Sequence, residues 1–152
     1  SMDSRYLDDL FSGQHFKTPG ITLTEADIID FALRYDPQPF HLDANAAANS
    51  PYGGLIASGF QSLALCFRLF IQSGMLAESS MGSPGIDELR WLAPVRPGDT
   101  LHTEIEVIEV RPSKSKPDRG IARLRYHAVN QRSEVVLSLI INHLLRCKPA
   151  AE

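Results

Sequence analysis

Between Gly59 and Ser73 the chain runs GFQSLALCFRLFIQS. Read at helical spacing, only Gln61, Ser62, Arg68 and Gln72 are polar between the glycine and the closing Ser73, and positions 61, 65, 68 and 72 share one narrow stripe. The remaining faces are therefore expected to be buried. At 15 residues the segment is too short to span a bilayer. It belongs at the centre of a folded domain. Ser58-Gly59-Phe60-Gln61 fits a capping box, with Ser58 as N-cap and Gln61 at the third helical position. Gly59 then falls in the first turn, where backbone N–H groups lack intrahelical partners and the helix dipole is positive. Two readings of Gly59 follow. Its missing side chain either gives clearance for packing or lets a ligand oxygen approach its N–H; local sequence favours clearance.

Around this helix the other elements can be placed by pattern. Tyr6, Leu7, Leu10 and Phe11 suggest a short docking arm. Residues 13–23 alternate as a strand interrupted at Pro19-Gly20. Thr24 begins a helix that runs to about Tyr35, with Ile28, Phe31, Ala32 and Tyr35 on one face, and Pro37 stops it. Asp43 can cap an Ala-rich turn over residues 44–49. Residues 74–85, rich in Gly, Ser and Met, are expected to loop out.

Four strands follow. Ile86–Leu92 is the first, and the second buries Leu101, Thr103, Ile105 and Val107. A basic hairpin tip at residues 111–120 leads to a strand with Ala122, Leu124, Tyr126 and Ala128 inward. Glu134–Leu145 is apolar on both faces, hence central or at an interface. One buried helix with four strands joined by short turns implies an α+β domain. The simplest packing wraps a curved antiparallel sheet around the long helix, which is the hotdog architecture.

Length, charge and cysteine usage exclude several classes. The 152 residues fit a single domain spanning 1–152, with Ser1-Met2 read as a cloning remnant. A net charge of −3 argues against nucleic acid as partner. Cys66 and Cys147 make no disulfide framework and sit beside no activating base in sequence. His15, His102, His127 and His143 lack metal-ligand spacing. With no secretory segment or membrane span in the sequence, a cytoplasmic location is expected.

The chemistry-bearing stretch is Asp36-Pro37-Gln38-Pro39-Phe40-His41. It sets an acid and an imidazole five residues apart on a proline-stiffened segment. On a continuous helix the two would be about 140° out of phase, so a shaped loop is required to bring them together. Taken alone, Asp36 reads equally as a helix-end residue and His41 as a satisfied loop histidine.

That stretch, the run Gly53-Gly54-Leu55-Ile56-Ala57-Ser58-Gly59 and the run Trp91-Leu92-Ala93-Pro94-Val95-Arg96-Pro97-Gly98-Asp99 together resemble the MaoC-like dehydratases, including R-specific enoyl-CoA hydratases. The motifs occur in the family's order and cover nearly the whole chain. The resemblance implies that Asp36 and His41 are a catalytic pair and that Gly59 is the oxyanion-binding glycine. This chain has Gln38 where many of the hydratases have Asn, and Ser58 where many have His.

What the resemblance implies is a hydratase or dehydratase acting on a 2-enoyl-CoA, with coenzyme A as part of the substrate and neither metal nor redox cofactor. It also implies a homodimer or higher homo-oligomer. Gln38, Phe40, Tyr52, Ser58 and Phe67 are the candidate substrate-binding residues, although Phe40, Tyr52 and Phe67 read equally as core. Lys114, Lys116 and Arg119 are either phosphate contacts or a solvated hairpin tip. Two other functions compete: a hotdog acyl-CoA thioesterase, and a non-catalytic acyl-CoA binding subunit.

Overall fold

The computed structural model describes residues 3–151, so the remnant proposed at Ser1-Met2 lies outside the described residues. Four long strands, β3 (Gly85–Trp91), β4 (Thr100–Pro112), β5 (Arg119–Val129) and β6 (Val135–Arg146), build an antiparallel sheet. Short β1 (His15–Lys17) pairs with β4, giving the order β1-β4-β5-β6-β3, and β2 (Ile21–Thr22) also pairs with β4. The helices are α1 (Glu25–Tyr35), α2 (Pro39–Leu42), α3 (Ala44–Ala48) and α4 (Gly59–Ile71). The sheet curves around α4, as the hotdog architecture requires.

Alternation along β4 and β5 produces the core. Leu101, Thr103, Ile105 and Val107 on β4, and Ala122, Leu124, Tyr126 and Ala128 on β5, are all at most 1% exposed. The register sets Ile105 opposite Tyr126, and Tyr126 opposite Leu139 of β6, so the inward side chains form continuous rows. Facing them, α4 buries Ser62, Cys66, Leu69 and Phe70. Each fully buried large aliphatic contributes about 1.5–3 kcal/mol, which holds helix and sheet together. Thr103 Oγ1 donates to the Cys66 carbonyl at 2.7 Å and thereby pins α4 to β4.

Several expectations are corrected. The helix α4 is not buried all round: Phe60, Ala64, Phe67 and Ile71, spaced along one face, are exposed. The capping box is half made. Ser58 Oγ accepts from Phe60 N at 3.2 Å, while Gln61 turns away and donates to the Asp27 carbonyl. Residues 74–85 do not simply loop out, because Met75 and Leu76 are buried in the main core. One expectation holds: of the two places left open for β6, it takes the central one, between β5 and β3, and β3 is the sheet edge on that side. Leu7 and Leu10 of the N-terminal arm dock into the core, whereas Phe11 is exposed.

The caps on the smaller helices follow their sequences. Thr24 accepts from Asp27 N, and Asp43 accepts from Asn45 N and Ala46 N. No helix among the described residues is long and apolar enough to cross a membrane.

Candidate active site

Asp36 is the C-cap of α1, and its backbone has already left the helical region. Pro37 and Gln38 make the bend, and Pro39 starts α2 at a position where its missing N–H costs nothing. His41 thus stands on a one-turn helix, and the shaped loop reduces to a sharp corner between α1 and α2. The corner brings His41 Nε2 to 3.1 Å from Asp36 Oδ2.

Both side chains are fixed from behind. His41 is 4% exposed, and its Nδ1 lies 2.7 Å from the Ile56 carbonyl. A carbonyl only accepts, so Nδ1 carries a proton and Nε2 is the nitrogen available for chemistry. Ser58 Oγ donates to Asp36 Oδ2 at 2.6 Å, and Gln38 Nε2 donates to Oδ1 at 2.8 Å. Burial pushes the Asp36 carboxyl upward. The bonds from Ser58 and Gln38 and the adjacent His41 ring outweigh it and hold the pKa below the ordinary carboxylate value.

Asp36 and His41 sit in the wall of a cleft of about 450 Å³. Its lining is mostly apolar, including Phe40, Ile56, Val95 and Val136. Phe40 meets the His41 ring edge-on at 4.6 Å and Tyr52 at 5.3 Å, so both aromatics brace the imidazole side. Gly59 lines the cleft at the start of α4, where its N–H has no intrahelical acceptor.

The clearance reading of Gly59 is satisfied in a specific way. A Cβ there would come within 2.6 Å of Trp91 Nε1, and the indole donates to the Gly59 carbonyl at 2.8 Å. Trp91 from the edge strand therefore occupies the side-chain face of Gly59.

Two of the expected substrate contacts are elsewhere. Phe67 does not line this cleft; it stacks on Tyr126 at 6.3 Å, because residue 67 is two turns along α4 from the cleft end. Ser58 is fully buried behind Asp36 and holds the carboxylate and the helix cap, away from the cleft lining. Gln38 touches both the cleft and Asp36. None of Lys114, Lys116 and Arg119 lines the cleft, and Arg119 pairs with Asp118 at 2.9 Å.

Sequence reasoning missed the Ile56 carbonyl, the packing role of Trp91, and Ser62. Only Ser62 carried a readable signal, as a polar residue off the 61/68/72 stripe and hence on a buried face. Among the described residues no cluster of three or more His, Cys, Asp or Glu could hold a metal ion. Burial pushes the Cys66 thiol up to about 11, which leaves it inert.

Comparisons with known proteins bear on the fold and the family. The family model described as "MaoC like domain" matches residues 11–128. A crystal structure of a MaoC-like dehydratase from Rhodospirillum rubrum superposes with a TM-score of 0.91 at 41% identity, covering 97% of this chain and all of that one (100%). The uncharacterized protein YdeM of Bacillus subtilis is 31% identical over 140 residues, 92% of this chain and 98% of that protein. The 3-hydroxybutyryl-CoA dehydratase of Methylorubrum extorquens is 30% identical over 98 residues, 62% of this chain and 59% of that protein.

Proposed function

The chain belongs to the MaoC-like domain family, and on that premise we propose that it adds water reversibly to the double bond of a 2-enoyl-CoA thioester. One observation carries the proposal: an imidazole and an ionised carboxylate, 3.1 Å apart, form the polar wall of an otherwise apolar cleft at the start of a helix. The similarity to 3-hydroxybutyryl-CoA dehydratase supports the choice of thioester.

Hydration adds the water oxygen to the β-carbon and a proton to the α-carbon, while negative charge gathers transiently on the thioester oxygen. Asp36 and His41 together would hold the water. One takes its proton as the oxygen attacks, and the other delivers a proton to the α-carbon. The Gly59 N–H, aided by the helix dipole, would receive the developing oxyanion. Elimination runs the same steps backward. No electron is gained or lost overall, so the reaction calls for no redox cofactor, and the proposal invokes no metal.

Ser58 and Gln38 act through Asp36, orienting its two oxygens and keeping it ionised. Phe40 and Tyr52 would flank the acyl group. A homodimer or higher homo-oligomer is part of the same proposal, with the cleft near the protomer boundary. The exposure of Phe60, Trp91 and Leu92 at the cleft supports it.

A panel of enoyl-CoA substrates followed by loss of the conjugated-thioester absorbance tests the reading. Turnover of at least one member is expected. Release of free thiol would identify a thioesterase instead, and binding without turnover a non-catalytic acyl-CoA subunit.

A further inference from the structure

Ser62 lies one helical turn beyond Ser58 on α4, lines the cleft and is only 3% exposed. A helical serine ordinarily turns its hydroxyl back to the carbonyl four residues earlier. Here that carbonyl, Ser58 O, already accepts from Gln61 N at 3.0 Å and from Ser62 N at 3.1 Å. The Ser62 hydroxyl has no partner among the described residues. It is not one of the side-chain oxygens sealed off in the interior, so it opens onto the cleft.

Much of the cleft lining is apolar. Ala57, Val95 and Val136 share the lining, and each is itself buried. A purely hydrocarbon acyl chain laid against this wall would leave the hydroxyl without a partner, and unpaired buried polar groups weaken binding. Four residues of helix rise about 6 Å, so Ser62 stands one turn farther along α4 than Ser58, whose hydroxyl holds Asp36. With the thioester oxygen at Gly59 as proposed above, an acyl chain running along α4 into the cleft would pass this hydroxyl.

We infer that Ser62 is a specificity-determining residue whose hydroxyl binds an oxygen substituent on the acyl chain, so that the substrate is a short, oxygen-bearing enoyl thioester. The inference rests on the cleft being the enoyl-thioester site proposed above, and it narrows the substrate class there.

The test compares (E)-4-hydroxybut-2-enoyl-CoA with (E)-pent-2-enoyl-CoA, which differ by hydroxyl for methyl at the same position. Wild-type protein should favour the hydroxylated thioester in kcat/KM by about tenfold, the net worth of one hydrogen bond. Ser62→Ala, a change that suits a helix interior, should bring the ratio close to one while keeping the wild-type melting temperature. An equal preference in both proteins, with turnover intact, overturns the role of Ser62 and leaves the hydratase reading standing.

If wild-type protein turns over neither thioester, the enoyl-CoA panel decides the hydratase reading, and calorimetric affinities for the same pair decide the question for Ser62. Tighter binding of the hydroxylated thioester, lost in Ser62→Ala, supports the inference. Affinities that do not distinguish the pair, or that Ser62→Ala leaves unchanged, overturn it.

Discussion

Asp36 meets polar groups from three directions: the Ser58 hydroxyl and the Gln38 amide donate to it from the start of α4 and the corner before α2, and the His41 ring faces it from α2. Asp36→Asn keeps the shape but removes the charge, and should lower turnover at least about a hundredfold, the low end for an acid–base group. Steady-state kinetics on the purified variant, with circular dichroism to verify the fold, checks this. Ser58→Ala acts differently. It removes an N-cap, costing about 1 kcal/mol in a denaturant melt. It also removes a bond that lowers the Asp36 pKa, so the acid limb of the pH–rate profile should move to higher pH. A limb that stays in place would separate Ser58 from the carboxylate. The cap was legible in Ser58-Gly59-Phe60-Gln61, because caps are local. The bond to Asp36 joins residues 22 apart in sequence, and no local pattern carries that information.

Among the elements, the edge strand and the start of α4 depend on each other through Trp91 and Gly59. Gly59→Ala would drive a Cβ into the indole, which must move or tilt. Trp91 is the chain's only tryptophan, so its emission should change in Gly59→Ala even without substrate. Unchanged emission would mean that the indole does not rest on this glycine. The β5–β6 pair holds a different device. Tyr126 Oη lies 2.7 Å from His143 Nε2 in the core, and burial pushes the His143 pKa down to about 4. The unfolded chain binds that proton nearer 6.5, so acid favours unfolding as pH falls from about 6.5 to about 4, and His143 adds no pH dependence above that window. The full effect is on the order of 3 kcal/mol. Urea midpoints across the window should fall for wild type and fall less for His143→Gln. Strand alternation made β4 and β5 readable, because a period of two needs only neighbouring residues. The inward turn of Met75 and Leu76 was not readable, since composition speaks for mobility while distant partners decide burial.

At the scale of the molecule, α4 explains both what was legible and what was not. Its apolar character correctly put it inside the sheet, yet one chain covers only part of it and leaves Phe60, Phe67 and Ile71 exposed. A second copy over this face would account for a helix written as apolar almost all round. Sedimentation should therefore find at least a dimer at micromolar concentration, and a stable, active monomer would contradict that assembly. The central claim concerns the reaction, and its most direct test is the product. Crotonyl-CoA incubated with the protein should gain the mass of one water with its thioester intact, releasing no free thiol, and Asp36→Asn should nearly abolish this product. Free coenzyme A in place of the hydrated thioester, or hydration that persists undiminished in Asp36→Asn, would contradict the account.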